Sequence, residues 1–409
     1  MTPREVAPPG AAGSASVEAA RRRPWLPAGA PIRVGLVGLG NVGLGHHVPA
    51  LLANADLVRV VAVADPSEER RRLAAAALGL PDGDLYATAE DLFARADLDL
   101  VDLATPPNIR TSLALRALAT GRAILCEKPI ATSPADGAAI VAASAASGVP
   151  TAMIHNYVAL PEIIAARTAI EVGAIGRPEV AILNYLGVED RPGSAAWQPD
   201  WRHDASVAGG GVLMDMLHVV YVAEALLGQE FRAVSAEVLG RTSGAAVEEL
   251  ALCRFEADDA VALINVGWGV GPGGISIAGR DGRIDIRYVG GGTGPFAALE
   301  SVTLTRRGGL VEDLTPPLPP PDQPLDVRFA ETFRACFERL AAGRTPPATA
   351  GDGVRVLEAT LAAYASAATG RTVGLPLAPG DPVCERGVAG LADLDVIPER
   401  SIARRGLFG

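Results

Sequence analysis

The sequence predicts an α/β protein with a parallel, doubly wound sheet in its first part and a β-rich second part. A glycine-rich turn joins an apolar strand to a helix near residue 38, and apolar strands then alternate with helices up to about residue 157. Strand-like runs become frequent from residue 178 onward. A chain of 409 residues is long enough for two domains with buried cores.

Composition excludes several classes of protein. Hydrophobic residues make up 49% and charged residues 20%, as in a compact α/β protein. A net charge of -11 disfavours binding to nucleic acid or to an anionic membrane surface, and we see no apolar run that approaches the roughly 20 residues of a membrane helix. The four cysteines show no metal-ligand spacing, so we expect a cytoplasmic protein without a bound metal.

Residues 1–30 are interpreted as a disordered leader. They contain an arginine cluster, but no apolar core follows it as it would in a secretory signal.

The first chemical motif follows the strand "PIRVGLVG". The turn reads Gly38-Leu39-Gly40-Asn41-Val42-Gly43. This is a GxGxxG pattern, in which two glycines let the backbone approach a pyrophosphate and the third allows close packing of helix on strand. The next strand, "LVRVVAVAD", ends at Asp65, 22 residues after Gly43. A carboxylate there can bind the ribose hydroxyls and would repel a 2′-phosphate, so the sequence favours NAD over NADP. Three following arginines keep NADP open: Arg70, Arg71 and Arg72.

Later strands bring further polar residues to the same cleft. "DLDLVDLATPP" ends at Thr105 and Pro106, and "RAILCEKPIA" contains Glu127 and Lys128. Because ligands bind beyond the carboxyl ends of parallel strands, we expect these residues, with Asn108, to face the cofactor. Lys128 is the single lysine among 36 basic residues. Its compact ammonium, whose pKa can be tuned by burial, indicates a functional position.

The second half contains strand patterns and two late helices. The strand segments are "PEVAILNYLGVE", "RAVSAEVLGR", "ELALCRFEADDAVALINVGWGV" and "GRIDIRYVG". "LTPPLPPPDQP" cannot pair in a sheet and is interpreted as a linker before helices at about residues 325–342 and 352–368. We therefore predict a first domain at 31–152, a second at 153–380 whose final helices could return to the first, and a tail of low pattern at 381–409.

The segment "GGGVLMDMLHVVYVAEALLG" predicts a helix with Asp215 and His218 on one face, three residues apart. A neutral histidine can remove a hydroxyl proton near pH 7, and a carboxylate can orient it. Two structural explanations stay open: Asp215 as an acidic residue in a first helical turn, and His218 as a core histidine.

Together these motifs resemble the glucose–fructose oxidoreductase/inositol dehydrogenase/rhizopine catabolism (Gfo/Idh/MocA) family. The resemblance rests on "VGLVGLGNVGLGHH", "ATPPNIRTSLALRALATGRAILCEKPIA", "EVGAIGRP", "WRHDASVAGGGVLMD" and "AGDGVRVLEATLAAYASAATGR". It implies an N-terminal Rossmann domain and an α+β domain with a large, mostly antiparallel open sheet, through which homodimers or homotetramers form. It also implies an active site of Lys128, Asp215 and His218. We hypothesise that His218 is the base, that Lys128 positions the reacting oxygen, and that Asp215 binds a neighbouring hydroxyl or orients the histidine.

Three departures from the family pattern affect the substrate side. The spacing "DMLH" is one residue shorter than usual, Tyr221 stands where an aspartate is common, and the strand after EKP lacks an arginine. Tyr157, Trp201 and Arg202 are therefore our candidates for substrate contacts, beside Asp215 and His218.

The resemblance implies oxidation or reduction of a secondary alcohol in a sugar, cyclitol, aminosugar or nucleotide sugar. The negative net charge is compatible with a cationic aminosugar. Two alternatives remain: a redox-neutral, NAD-dependent glycoside hydrolase or lyase with Tyr221 or Tyr157 as an added acid/base, and a non-catalytic NAD(P)-binding sensor.

Overall fold

The computed structural model describes most of the chain after residue 30. The described residues are 31–95, 97–188, 200–240, 246–269, 271, 273–289, 298–317 and 327–395. The predicted leader, the part of the proline-rich linker from residue 318 to 324, and residues 396–409 of the predicted tail lie outside them.

Six parallel strands form the first sheet, in the order β3-β2-β1-β4-β5-β6. They are β1 (Ile32–Val37), β2 (Val58–Ala64), β3 (Leu85–Tyr86), β4 (Leu100–Leu103), β5 (Ala123–Cys126) and β6 (Thr151–Met153). Every residue of β4, β5 and β6 is buried, as expected for strands covered by helices on both faces. The predicted doubly wound sheet is therefore confirmed.

Helices cover both faces of this sheet. Residues 41–53 form one helix, in which a π-helical stretch, Gly43–His47, follows residues 41–42 and precedes α1 (Val48–Ala53). The others are α2 (Glu68–Leu78), α3 (Ala89–Phe93), α4 (Pro107–Ala119) and α5 (Pro134–Ser147). Ser67 and Ser133 cap α2 and α5 by accepting backbone N–H groups three residues later.

The strand predicted over "VPTAMIHNY" is shorter than expected. Only Thr151–Met153 pairs with β5, and the chain turns at Asn156–Ala159 into a 3₁₀ helix. The physical reason is that the partner strand β5 ends at Cys126, which is opposite Met153. His155 and Asn156 therefore leave the sheet edge rather than extend it.

Nine strands form the second sheet, in the order β14-β13-β12-β11-β7-β10-β9-β8-β15. They are β7 (Pro178–Val188), β8 (Ala233–Leu239), β9 (Leu250–Glu256), β10 (Val261–Trp268), β11 (Gly274–Gly279), β12 (Gly282–Val289), β13 (Ala298–Arg306), β14 (Val311–Asp313) and β15 (Val373–Gly374). Only the pairing of β7 with β10 is parallel among those in this sheet. The expected large, mostly antiparallel sheet is confirmed, although the sequence patterns identified none of β11, β13, β14 and β15.

The two faces of the second sheet differ in burial. Alternate residues such as Leu183 and Ile264 are fully buried on the inner face, against which α6 (Pro161–Glu171) packs among other helices. On the outer face Val180, Leu252 and Leu263 remain 37–41% exposed. The sheet therefore has one open, partly apolar face.

The helix predicted after the glycine turn is interrupted. The structure forms α7 (Ala205–Ala208), α8 (Val212–Asp215) and α9 (His218–Leu227), with a turn at residues 216–217. By length and composition alone, the segment Ala205–Leu227 could cross a membrane, so our expectation that no apolar run approached that length was wrong. Inside the protein, 83% of its most apolar 18-residue stretch is buried. It is a core segment, and Asp215 and His218 belong to separate helices.

The C-terminal helices return to the first domain. α10 (Val327–Ala341) packs against α1, and α11 (Ala350–Thr369) packs against both α5 and β8. The segment expected to be a tail of low pattern is folded up to residue 395: α12 (Pro382–Arg386) and the 3₁₀ helix Gly387–Asp393 pack against each other, and α12 contacts α5.

Candidate active site

The glycine turn at the end of β1 has the shape of a pyrophosphate cradle. Gly38 has φ +94°, and a Cβ on it would lie 2.5 Å from the Ala104 carbonyl oxygen. A Cβ on Gly43 would lie 2.1 Å from the Gly38 carbonyl oxygen, whereas one on Gly40 would meet nothing within 4 Å. Gly38 and Gly43 therefore allow the turn to close, and Gly40 leaves open space at the start of the helix, where backbone N–H groups attract anions.

Asp65 is held rigidly at the tip of β2. Its carboxylate accepts hydrogen bonds from the backbone N–H groups of Leu39 and Ser67, both at 2.8 Å, and it is 7% exposed. Arg71 donates to the Asp65 backbone carbonyl at 2.5 Å, and Arg72 pairs with Glu68. Neither arginine contacts the carboxylate, so its remaining acceptor positions suit ribose hydroxyls.

The ends of β4 and β5 supply the next part of the cleft. The Thr105 hydroxyl is buried without a hydrogen-bond partner among the described residues. Pro106 occupies the N-cap position of α4, and Asn108 is exposed in the first turn of that helix. Arg110, which the sequence analysis did not single out, is buried and donates to the carbonyls of Thr105 and Pro129. It therefore joins the two strand ends, and the Thr105 hydroxyl remains available to a ligand.

A buried charge cluster lies beneath Lys128. His47 Nδ1 lies 2.9 Å from Asp102 Oδ2, and His47 Nε2 lies 3.3 Å from Glu127 Oε1. Burial favours a neutral ring, but the charge and hydrogen bond of Asp102, supported by Glu127, outweigh burial and raise the pKa of His47 to about 9. Glu127 also accepts the backbone N–H of Lys128 at 2.8 Å. Glu127, expected at the cofactor, is thus 5% exposed and held between His47 and the Lys128 backbone.

Lys128 joins the two domains at the proposed catalytic residues. Its ammonium donates to the backbone carbonyl of Asp215 and lies 3.3 Å from Asp215 Oδ1. Burial alone would raise the pKa of the Asp215 carboxyl; the charges of Lys128 and Arg202 and hydrogen bonds from Lys128 and Trp268 lower it below its usual range. Asp215 is therefore a carboxylate that pairs with the single lysine of the chain.

His218 lies beside this pair but is not bonded to Asp215. It is 4% exposed, stacks on Tyr157 at 4.4 Å between ring centroids, and meets the His155 ring edge-on at 5.5 Å. Its Nδ1 has no hydrogen-bond partner in the described part of the chain. Burial, the Lys128 charge and His155 lower the pKa of His218 well below its usual value, so the ring is neutral.

His155, Asn156 and Tyr221 occupy the positions where the sequence departed from the family pattern. Both ring nitrogens of His155 and Oδ1 of Asn156 are buried without partners among the described residues. Burial lowers the pKa of His155 to about 4, and Tyr221 stacks on it at 4.5 Å. The Tyr221 hydroxyl donates to the Pro347 carbonyl at 3.0 Å. The sequence pattern predicted a strand at His155 and Asn156 and therefore did not indicate this cluster, because the chain leaves the sheet after Met153.

The three candidate substrate residues take different places. Tyr157 is 6% exposed and stacks between Tyr185 and His218, so it packs against the histidine ring. Arg202 lies 5.7 Å from the Trp201 ring centroid and is close enough to affect Asp215. Trp201 thus contacts Arg202, and Asp215 interacts with both Arg202 and Trp268, of which Trp268 was indicated by no sequence pattern.

Family models match both parts of the chain. Residues 32–155 match the model described as an oxidoreductase family with an NAD-binding Rossmann fold, GFO_IDH_MocA. Residues 163–285 match the model of the GFO/IDH/MocA C-terminal domain.

Curated relatives include sugar and cyclitol enzymes. Levoglucosan dehydrogenase of Pseudarthrobacter phenanthrenivorans is 32% identical over 50% of this chain and 53% of its own length. Inositol 2-dehydrogenase 1 of Saccharopolyspora erythraea is 35% identical over 36% of this chain and 43% of its own length. The chain thus matches about half of each. Inositol 2-dehydrogenase 2 of the same organism is 26% identical over 85% of this chain and 96% of its own length.

Solved structures share the fold. Levoglucosan dehydrogenase in complex with NADH and levoglucosan matches with a TM-score of 0.74 and 22% identity, over 85% of this chain and 100% of that one. Aldose-aldose oxidoreductase from Caulobacter crescentus matches with a TM-score of 0.72 and 24% identity over the same shares.

Proposed function

The chain belongs to the Gfo/Idh/MocA family of NAD-binding oxidoreductases, and from this we propose that it is an NAD-dependent dehydrogenase or reductase of a secondary alcohol in a polyhydroxylated small molecule. The observation that carries the proposal is the pairing of Lys128, at the end of a Rossmann strand, with Asp215, beside a neutral buried His218. Relatives named for levoglucosan, inositol and 1,5-anhydro-D-fructose support the substrate class.

The turn at Gly38–Gly43 and Asp65 would hold the pyrophosphate and the adenosine ribose of NAD, and Thr105 offers an additional hydroxyl. NAD supplies the hydride acceptor or, when reduced, the donor. NAD is favoured over NADP because Arg71 and Arg72 are engaged by a backbone carbonyl and by Glu68.

His218 is the proposed base. Because burial and Lys128 keep its ring neutral, it can accept the hydroxyl proton as hydride leaves the same carbon. The Lys128 ammonium would bind that oxygen and stabilise the negative charge that develops on it. Asp215 holds Lys128 and would accept a neighbouring hydroxyl; its contacts with Lys128 and Trp268 favour this role over orienting His218.

The charges at the site favour a neutral polyol over a cationic aminosugar. Lys128 and Asp215 offset each other, and Arg202 adds a positive charge near Asp215. An ammonium group on the substrate would meet two cations in this cleft. We therefore propose a cyclitol or a neutral sugar, although the net charge of the whole chain is compatible with an amine.

The redox-neutral hydrolase or lyase is disfavoured by the places of its two candidate tyrosines. The Tyr221 hydroxyl donates to Pro347, and that of Tyr157 lies 3.9 Å from the Met216 sulfur. A sensor without catalysis would not need the Lys128–Asp215 pair. We also propose a cytoplasmic homo-oligomer formed through the outer face of the second sheet, where Val180, Leu252 and Leu263 are partly exposed.

The test is a spectrophotometric screen of purified protein with NAD or NADP and a panel of inositols, levoglucosan, aldoses and aminosugars. We expect NADH formation with a neutral polyol, and its loss in Lys128→Ala and His218→Ala variants that still bind NAD by calorimetry. Bond cleavage without net NADH would favour the redox-neutral enzyme. Tight NAD binding without any turnover would favour the sensor.

A further inference from the structure

Three consecutive glycines precede the segment that carries Asp215, and two of them touch distant side chains. A Cβ on Gly210 would lie 2.4 Å from the Tyr364 hydroxyl oxygen, and one on Gly211 would lie 2.2 Å from the Glu248 carbonyl oxygen. Gly210 also has φ +155°. The turn is therefore glycine-rich because its backbone is pressed directly against Glu248 and Tyr364.

Glu248 and Tyr364 satisfy the four N–H groups at the start of α8, which a helix cannot bond internally. The Glu248 carboxylate accepts from Gly211 N–H and Leu213 N–H, both at 2.9 Å, and its backbone carbonyl accepts from Val212 N–H at 3.1 Å. The Tyr364 hydroxyl accepts from the N–H of Met214 at 3.2 Å and donates to the Glu248 carboxylate at 2.6 Å. Glu248 is 2% exposed, so these bonds form in a water-excluded site.

The same segment also fixes the surroundings of Asp215. The N–H of Asp215 donates to the Gly211 carbonyl at 2.9 Å, within the turn that Glu248 and Tyr364 bind. The residue after Glu248, Glu249, accepts the backbone N–H of Trp268 at 3.0 Å. The Trp268 side chain in turn bonds Asp215. Glu248 and Glu249, which immediately precede β9, thus hold both Asp215 and its aromatic neighbour Trp268.

We propose that Glu248 is a positioning residue that sets the place of Asp215 and, through it, of the Lys128 ammonium. The catalytic consequence rests on the proposed function. The groups that act on the Glu248 carboxylate are the N–H groups of Gly211 and Leu213, its own backbone N–H and the Tyr364 hydroxyl, and all of them donate hydrogen bonds, so a carboxylate suits the site and an amide does not. A glutamine would turn an NH₂ group toward at least one donor.

The hydrogen bonds between Glu248 and the start of α8 depend on pH. Burial raises the pKa of Glu248 to about 7, while the hydrogen bond from Tyr364 and those from the backbone oppose this rise. Among the described residues, the titratable groups that interact with Glu248 are Tyr364 and Cys253 on β9; burial raises the pKa values of both, so neither ionises near neutrality. A transition near pH 7 in this turn therefore belongs to Glu248, whose protonation would remove an acceptor and loosen the turn.

Methyl NMR of the methionines tests, without any substrate, whether Glu248 controls the turn before α8. The chain has four methionines, and Met214 and Met216 flank Asp215. The Met214 methyl lies 3.6 Å from the place of a Cβ on Gly209, so its shift reports the turn. In the full-length protein labelled with ¹³C-methyl methionine, we expect a Met214 titration near pH 7 that is absent in Glu248→Gln. In Tyr364→Phe the midpoint should move to higher pH, because a bond that lowers the Glu248 pKa is lost.

Glu358→Gln is the matched control. Glu358 is a half-buried glutamate on α11 that accepts the N–H of Leu377 at 2.9 Å, away from the turn. This variant should keep the wild-type Met214 titration. A Met214 titration that persists in Glu248→Gln, or disappears in Glu358→Gln, would overturn the proposal. If Glu248→Gln does not fold, the upward shift in Tyr364→Phe supports the proposal and an unchanged midpoint overturns it.

Measurements of kcat test the catalytic consequence of the proposal. With the substrate found in the NADH screen, Glu248→Gln should lower kcat by about 10²-fold, the order expected for a displacement of about 1 Å, with NAD affinity unchanged. An undiminished kcat would overturn the positioning role. If no variant or wild-type protein turns over any substrate while the Met214 shift still follows Glu248, the proposed function fails and the placement of Asp215 by Glu248 stands.

Discussion

The charge cluster beneath Lys128 predicts a pH-dependent contribution to stability. The pKa of His47 rises from 6.5 to about 9 because burial is outweighed by Asp102 and Glu127. Below pH 6.5 both folded and unfolded chains hold the proton; between 6.5 and about 9 only the folded chain does. This contribution is therefore complete below pH 6.5, falls by about 1.4 kcal/mol per pH unit, and amounts to about 3 kcal/mol in total.

The perturbation is the His47→Asn/Asp102→Asn double variant, which removes the charges of His47 and Asp102, leaves Glu127 bound to the Lys128 backbone N–H, and keeps polar side chains of similar size. Urea unfolding of both proteins between pH 6 and pH 9 should show the wild type losing about 3 kcal/mol more than the variant. Ring NMR of the five histidines, with the variant to identify His47, gives its pKa directly. A His47 that titrates near 6.5, or parallel pH profiles of the two proteins, would refute the reasoning.

Three further variants test other parts of the account. Asp65→Asn should weaken NAD binding about tenfold and improve NADP binding, measured by calorimetry, since the ribose acceptor and the repulsion of a phosphate are both lost; an unchanged preference contradicts this. Gly43→Ala should destabilise the protein by about 1–3 kcal/mol and reduce NAD affinity, because its Cβ would lie 2.1 Å from the Gly38 carbonyl oxygen. Arg110→Met should cost about 2–4 kcal/mol in urea unfolding, because the carbonyls of Thr105 and Pro129 lose their buried donor; equal stability would show that this link is dispensable.

Local patterns were sufficient to predict the first domain. The glycine turn, the acid at the end of β2 and the strand ends at Thr105 and Lys128 depend on short stretches of sequence with strong periodicity. The family, the fold class and the NAD-binding domain are confirmed by the family models. Roles for Lys128, Asp215 and His218 stay predictions, although the structure brings the three to one place.

Long-range contacts explain what the sequence analysis missed. The helix predicted over Asp215 and His218 is interrupted at residues 216–217, and its first turn is bound by Glu248 and Tyr364, 37 and 150 residues from their backbone partners. Trp268 reaches Asp215 only because β10 lies in the second sheet beside β9. A hydrophobic pattern indicates which residues are buried, but it cannot indicate which buried polar groups meet.

Transfer of deuterium from substrate to cofactor would show directly whether this protein moves a hydride between a secondary alcohol and NAD. The polyol found in the screen would be labelled at its carbinol carbons and incubated with NAD, and the cofactor analysed by mass spectrometry. We expect singly deuterated NADH in the wild type, and none in His218→Ala and Lys128→Ala variants that bind NAD normally. Reduced cofactor without deuterium, or label that stays in the substrate while a bond is cleaved, would contradict this expectation.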